Sequence, residues 1–172
     1  MPPISAPSVA TPSASFQTYP LTAAQLDIWL DQLSRGDSPL YNIGGYLDLN
    51  GPLDPARMQA ALELLVARHD ALRTILLPGA GADGLPLQQF ARSVMVPMPI
   101  DDVSAHSDPE SAARALVQAR IDQPFVLDGG CLLRFLLIRL DEQRHWLSVQ
   151  AHHLIVDGWG FGAMFKSLDE IY

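Results

Sequence analysis

The chain has 172 residues, 48% of them hydrophobic, which is enough for one buried core and too short for two ordinary domains. With 19 acidic against 11 basic side chains the net charge is −8, and no Lys/Arg cluster tracks along any segment, so a polyphosphate backbone is repelled and nucleic acid is not expected as a partner. The single cysteine, Cys131, excludes a disulfide framework and a cysteine-based zinc site, and no stretch reaches the ~20 apolar residues that cross a bilayer, so no membrane partner and a cytoplasmic location are expected.

Residues 1–17 open with a Pro- and Ser-rich composition that buries too little to offset chain entropy, and read as a disordered lead-in. Thr22 offers an N-cap to a first helix whose apolar positions Leu26, Trp29, Leu30 and Leu33 fall at helical spacing until Gly36 stops it. Residues 41–49 alternate apolar and polar around Gly44 and Gly45, which predicts a strand bent at the glycine pair. Asp54 and Pro55 open a second helix with the stripe Met58, Ala61, Leu62, Leu65 and Val66, ending at Arg68 and His69. Short β-prone runs follow at 74–77, 85–90 and 94–98. Asp108-Pro109-Glu110 starts a third helix that Pro124 closes. The segments 132–140 and 146–152 are predicted to form an antiparallel hairpin around the charged turn 141–144. A last helix is expected from about Gly160 to Tyr172, where the chain stops without a Gly, Asn or cationic cap, as a truncated helix would. This order predicts an α/β (α+β) two-layer sandwich, a mixed sheet with helices packed on it.

The chemistry concentrates at His152-His153-Leu154-Ile155-Val156-Asp157-Gly158-Trp159, where a strand hands over to a helix. Adjacent strand residues point to opposite faces, so one histidine is expected to be structural and the other functional. A neutral imidazole suits acyl transfer to an amine because it accepts or directs the proton the amine must lose. Asp157 is placed to orient the loop, Gly158 to allow close approach of a substrate, and Trp159 to pack as an anchor. The plain alternative is a strand end whose histidines are merely satisfied by hydrogen bonds. No His-Glu-x-x-His helix accompanies the pair and Cys131 has no partner thiol, so no metal is expected. No Gly-x-Ser-x-Gly elbow occurs either. His106 and His145 read as solvated residues of surface turns.

The histidine stretch resembles the His-His-x-x-x-Asp-Gly signature of nonribosomal peptide synthetase condensation domains, which have the chloramphenicol-acetyltransferase-like fold. Two further segments are similar to earlier motifs of that family in the same order: residues 21–32, LTAAQLDIWLDQ, and residues 68–76, RHDALRTIL. Pro124-Phe125 and Leu132-Leu133-Arg134 are similar to the stretch that leads into the histidines. The resemblance implies amide-bond formation between a thioester-bound acyl donor and the amine of an aminoacyl group on a peptidyl carrier protein. Both substrates are then carried on phosphopantetheine, and the lobe itself binds no cofactor. It also implies that His153 contacts the attacking amine and that Asp157 is structural and ion-paired with Arg68. Family members have two lobes with the active site between them, so residues 18–172 are expected to be the N-terminal lobe, its partner the C-terminal lobe.

Asp27, Val126 and Gly160 depart from the commonest family pattern without touching the histidines. The segments Asp-Ile-Trp-Leu-Asp-Gln and Leu-Tyr-Asn-Ile-Gly-Gly-Tyr look like chain-initiating (starter) members, which take a fatty acyl group from coenzyme A; a native Met1 would leave no room for an upstream carrier and agrees with that. An epimerization domain, a non-catalytic recruiting domain of the same fold and a free-standing acyltransferase of the superfamily stand as alternatives. The intact histidines and Asp157-Gly158-Trp159 favour the condensing version.

Overall fold

The computed structural model describes residues 17–172, so the lead-in expected over 1–17 lies outside the described residues except for Gln17. In chain order the elements are β1 (Thr18–Pro20), α1 (Ala23–Arg35), β2 (Asn42–Asn50), α2 (Pro55–Arg68), a 3-10 turn (Asp70–Arg73), β3 (Thr74–Leu77), β4 (Leu87–Phe90), β5 (Ile100–Asp102), α3 (Pro109–Ile121), β6 (Leu133–Arg139), β7 (Arg144–His152) and α4 (Gly158–Ile171).

The helix starts follow the expected chemistry. Thr22 closes a capping box with Gln25. Asp54 accepts the Ala56 and Arg57 N–H groups, and Asp108 accepts that of Ser111, each orienting a proline into the first turn. Two differences stand out among the strands. Residues 94–98 form no strand; the chain pairs only from Ile100, where β5 runs parallel to β6. Residues 18–20, for which the sequence announced no strand, pair with β4.

The strands make two sheets, a small one in the order β1-β4-β3 and a four-stranded one in the order β2-β7-β6-β5. The larger sheet is mixed, with β2, β7 and β6 antiparallel and β5 parallel. Its central strand β7 alternates strictly. Leu147, Val149 and Ala151 face a core shared with Met58, Leu62 and Leu65 of α2 and Met164 and Leu168 of α4, while Trp146 faces Ala113 and Val117 of α3. The expected sandwich of helices on a mixed sheet is therefore present, with one refinement: helices cover both faces.

β2 pairs with β7 without interruption from Asn42 opposite His152 to Asn50 opposite Arg144, so the glycine pair does not break the strand. Gly44 is needed for closeness. A Cβ there would stand 2.6 Å from the Val149 carbonyl oxygen, whereas one at Gly45 would meet nothing within 4 Å. The pairing also explains His145, expected in a surface turn. The hairpin turns one rung earlier, at residues 140–143, and His145 becomes a buried strand residue opposite Leu49 and Arg139, its basicity lowered by burial. His106 is exposed in the turn after β5, as expected. Cys131 is half-buried beside the core, where burial pushes its thiol pKa up and holds it in the inert protonated form.

Candidate active site

β7 ends at His152, and the chain leaves the sheet through a turn over residues 153–155 that delivers it to α4. His152 is 2% exposed. Its backbone N–H donates to the Leu132 carbonyl at 3.0 Å and its carbonyl accepts the Ile155 N–H at 3.0 Å, which closes the turn. The Nδ1 atom accepts the Leu154 N–H at 3.2 Å. Phe125 meets the ring edge-on at 6.2 Å between centroids, and Tyr41 lies tilted at 6.1 Å. Burial, aided by the neighbouring His153, lowers its pKa to about 4, so the ring is neutral at physiological pH and acts as a fixed acceptor.

The segment around Phe125 is locked from the opposite side. Asn42 donates to the Ile121 and Gln123 carbonyls at 2.6 and 2.9 Å. Arg134 donates to the Gln123 and Pro124 carbonyls at 2.7 Å each and lies 3.9 Å over the Phe125 ring. Pro124, Phe125 and Arg134 belong to the stretch that leads into the histidines in the sequence, and with Asn42 they hold the buried wall of His152.

His153 takes the other direction. Its N–H continues the ladder by one bond, to the Tyr41 carbonyl at 2.9 Å, but its side chain is only half-buried and lines an open groove of about 450 Å³. Ala24, Gln25 and Ile28 of α1 form one wall, Ala163 and Met164 of α4 another, and His69 and Leu72 a third. His69, whose Nε2 stands 3.1 Å from Ser167 Oγ, ties the end of α2 to α4 across this groove. Behind it, Arg73 holds the 3-10 turn through bonds to Val66 O, Ala91 O and Asp70. The two adjacent imidazoles thus do different things, one sealed in the protein and the other presented to the groove.

Asp157 and Gly158 need separate treatment. Asp157 is exposed and is the N-cap of α4, its Oδ1 accepting the Gly160 N–H at 2.7 Å, so the helix begins two residues earlier than its apolar pattern announced. The ion pair expected between Asp157 and Arg68 is not formed. Arg68 is exposed at the C-terminal end of α2, and the Asp157 carboxylate is turned to the α4 amides instead. Gly158 faces open space, where an added Cβ would meet nothing within 4 Å. Trp159 is 91% exposed and anchors nothing in this chain, contrary to expectation, because the first turn of α4 places it on the outer side of the helix.

Among the described residues no group of three or more His, Cys, Asp or Glu side chains could hold a metal ion, and no helix is long and apolar enough to cross a membrane. The residues that sequence reading passed over are Gln25, Tyr41 and His69. Gln25 and His69 stand inside the segments 21–32 and 68–76, but nothing local marked them as lining this groove, nor Tyr41 as the acceptor of the His153 N–H.

A mixed sheet flanked by helices, with one histidine sealed and its neighbour open at the strand end, has the build of the chloramphenicol-acetyltransferase-like acyltransferases. Residues 15–172 match the family model of the condensation domain, and the chain belongs to that family. Among its relatives is chondramide synthase cmdD of Chondromyces crocatus, 34% identical over 157 residues, a match covering 89% of this chain and 4% of that synthase. Among solved structures, the starter condensation domain of rhizomide synthetase RzmA superposes with a TM-score of 0.84 at 33% identity, over 91% of this chain and 37% of that one. One variant of that domain is known in complex with C8-CoA. The first condensation domain of the CDA synthetase superposes at 0.83 with 28% identity, over 92% of this chain and 40% of that one. The chain thus spans well under half of each neighbour's length.

Proposed function

We propose that residues 18–172 form the N-terminal lobe of a condensation domain that joins a thioester-bound acyl group to the amine of an aminoacyl group on a peptidyl carrier protein. His153 is the group that receives or directs the amine proton. The observation that carries this is the asymmetry of the histidine pair. His153 opens onto the groove beside His69 and Gln25, while His152 is buried and occupied by the Leu154 N–H. The His153 imidazole, held at its backbone by Tyr41, faces the space where an amine would stand and can accept its proton as the C–N bond forms. The thiol of the phosphopantetheine arm then departs from the carbonyl carbon.

The donor is an acyl group on coenzyme A, a reading supported by the starter condensation domain among the neighbours and by its variant's complex with C8-CoA. The second wall of the site belongs to a C-terminal lobe, consistent with the share of each neighbour that this chain spans. Incubating the full-length protein with acyl-CoA and an aminoacyl-loaded carrier tests both points. Acylated aminoacyl carrier is the expected product, reduced at least about 100-fold in His153→Ala. Product formed from an acyl carrier but from no acyl-CoA would overturn the donor assignment, and undiminished turnover in His153→Ala would overturn the role of His153. Condensation by the 172-residue chain alone would overturn the half-domain reading.

A further inference from the structure

The loop that carries His153 is held from two sides. The His153 N–H donates to the Tyr41 carbonyl, and the Leu154 carbonyl accepts a hydrogen bond of 2.9 Å from Gln25 Nε2, a residue 129 positions earlier in the chain. Leu154 in turn donates its N–H to His152, so the residue directly after His153 has both backbone groups bound by side chains. Tyr41 itself is tied to α1, its hydroxyl donating to Asp31 at 2.8 Å, and Arg35 holds the same carboxylate. One grip on the loop comes directly from α1, through Gln25; the other comes from the Tyr41 carbonyl, and Asp31 of the same helix braces the Tyr41 side chain.

The Gln25 amide has every bond it can make. Its Oε1 accepts the Thr22 N–H at 3.0 Å and Gln88 Nε2 at 3.1 Å. Its Nε2 donates to Gln88 Oε1 at 3.1 Å and to Leu154. A flipped amide would set its oxygen against the Leu154 carbonyl and its N–H groups against that of Thr22, so one orientation alone is satisfied. Gln88, buried in β4, also donates to the Pro20 carbonyl, which joins the small sheet to the same point. The capping box by itself does not explain the residue type. Glutamate caps Thr22 as well as glutamine does, and only glutamine has an N–H left for Leu154.

We propose that Gln25 is a positioning residue for His153: its amide fixes the Leu154 carbonyl and so sets where the His153 imidazole stands in the groove. This rests on His153 being the catalytic group, and the test separates the two. In the full-length protein, Gln25→Glu keeps the acceptor that caps Thr22 and removes the donor to Leu154. Its kcat is expected to fall about 10- to 100-fold with both KM values within about twofold of wild type, the pattern of a displaced catalytic group with substrate binding intact. Thr22→Ala, which weakens the same capping box without touching Leu154, lowers the melting temperature and leaves kcat unchanged. Gln25→Met, equal in length and without charge, gives the same fall in kcat and serves if the glutamate variant fails to fold. In Gln25→Glu/His153→Ala the loss of Gln25 adds nothing to the residual rate of His153→Ala. Wild-type kcat in Gln25→Glu, or a fall that multiplies undiminished onto His153→Ala, overturns the proposal. Full turnover in His153→Ala alone overturns the reading beneath it.

Discussion

His152 makes stability depend on pH in a window where few other groups titrate. Its pKa is lowered from 6.5 to about 4, first by burial and then by His153. The physical reason is local: a proton on Nδ1 would point at the Leu154 N–H that now donates to it, inside a wall made by Phe125 and Tyr41. The folded pKa lies below the unfolded one, so the unfolded chain takes up the proton first as pH falls. The stabilising contribution is therefore complete above the unfolded value and is lost between it and the folded value, below which both states are protonated. A shift of this size costs about 2 kcal/mol between about pH 7 and about pH 5, with a limit near 3 kcal/mol. His145, also lowered by burial, adds in the same direction. Urea unfolding of the chain at a series of pH values measures the slope. His152→Asn keeps an acceptor near the Nδ1 position and does not titrate, so most of the slope should disappear in it, while His145→Asn removes a smaller part. A wild-type chain whose unfolding free energy is flat over this range, or a His152→Asn chain with an unaltered slope, would refute the neutral, buried assignment.

Asp157→Ala is expected to cost about 1 kcal/mol through the lost cap of α4, and Asp157→Asn to recover most of it, as read by thermal unfolding. Arg68→Ala should stay within about 0.5 kcal/mol of wild type, because Arg68 is exposed and unpaired with Asp157; losses of equal size in Arg68→Ala and Asp157→Ala would restore the ion pair that the structure lacks. Gly44→Ala pushes a methyl against the Val149 carbonyl and the Gln150 backbone and should cost about 1–3 kcal/mol, while Gly45→Ala, facing open space, should cost far less; equal effects would contradict the close approach of β2 and β7.

Much of the fold was legible because its determinants are local. Thr22, Asp54 and Asp108 announce helix starts through their own side-chain bonds to nearby amides, and the apolar stripe of α2 predicts its buried face from spacing alone. The hairpin of β6 and β7 was visible for the same reason. Chain neighbours also carry the opposed directions of His152 and His153, since alternation along a strand is a property of the backbone. Where pairing partners are distant, local signals misled. Residues 94–98 are as β-prone as 100–102, but a parallel partner in β6 is available only to the latter; His145 looks like a turn residue until its pairing with Leu49 and Arg139 buries it.

The sequence by itself determined the helices, the hairpin, the exclusion of cysteine chemistry, and the placement of two histidines at a strand end followed by Asp157 and Gly158. Only the tertiary structure decided which histidine is sealed and which is open, that Asp157 caps α4 in place of pairing with Arg68, and that Gln25 and Tyr41 grip the loop after β7. The reason is physical. Burial and hydrogen bonds between residues more than a hundred positions apart depend on how α1, β2 and β7 stack, and no periodicity within any one of them encodes that contact.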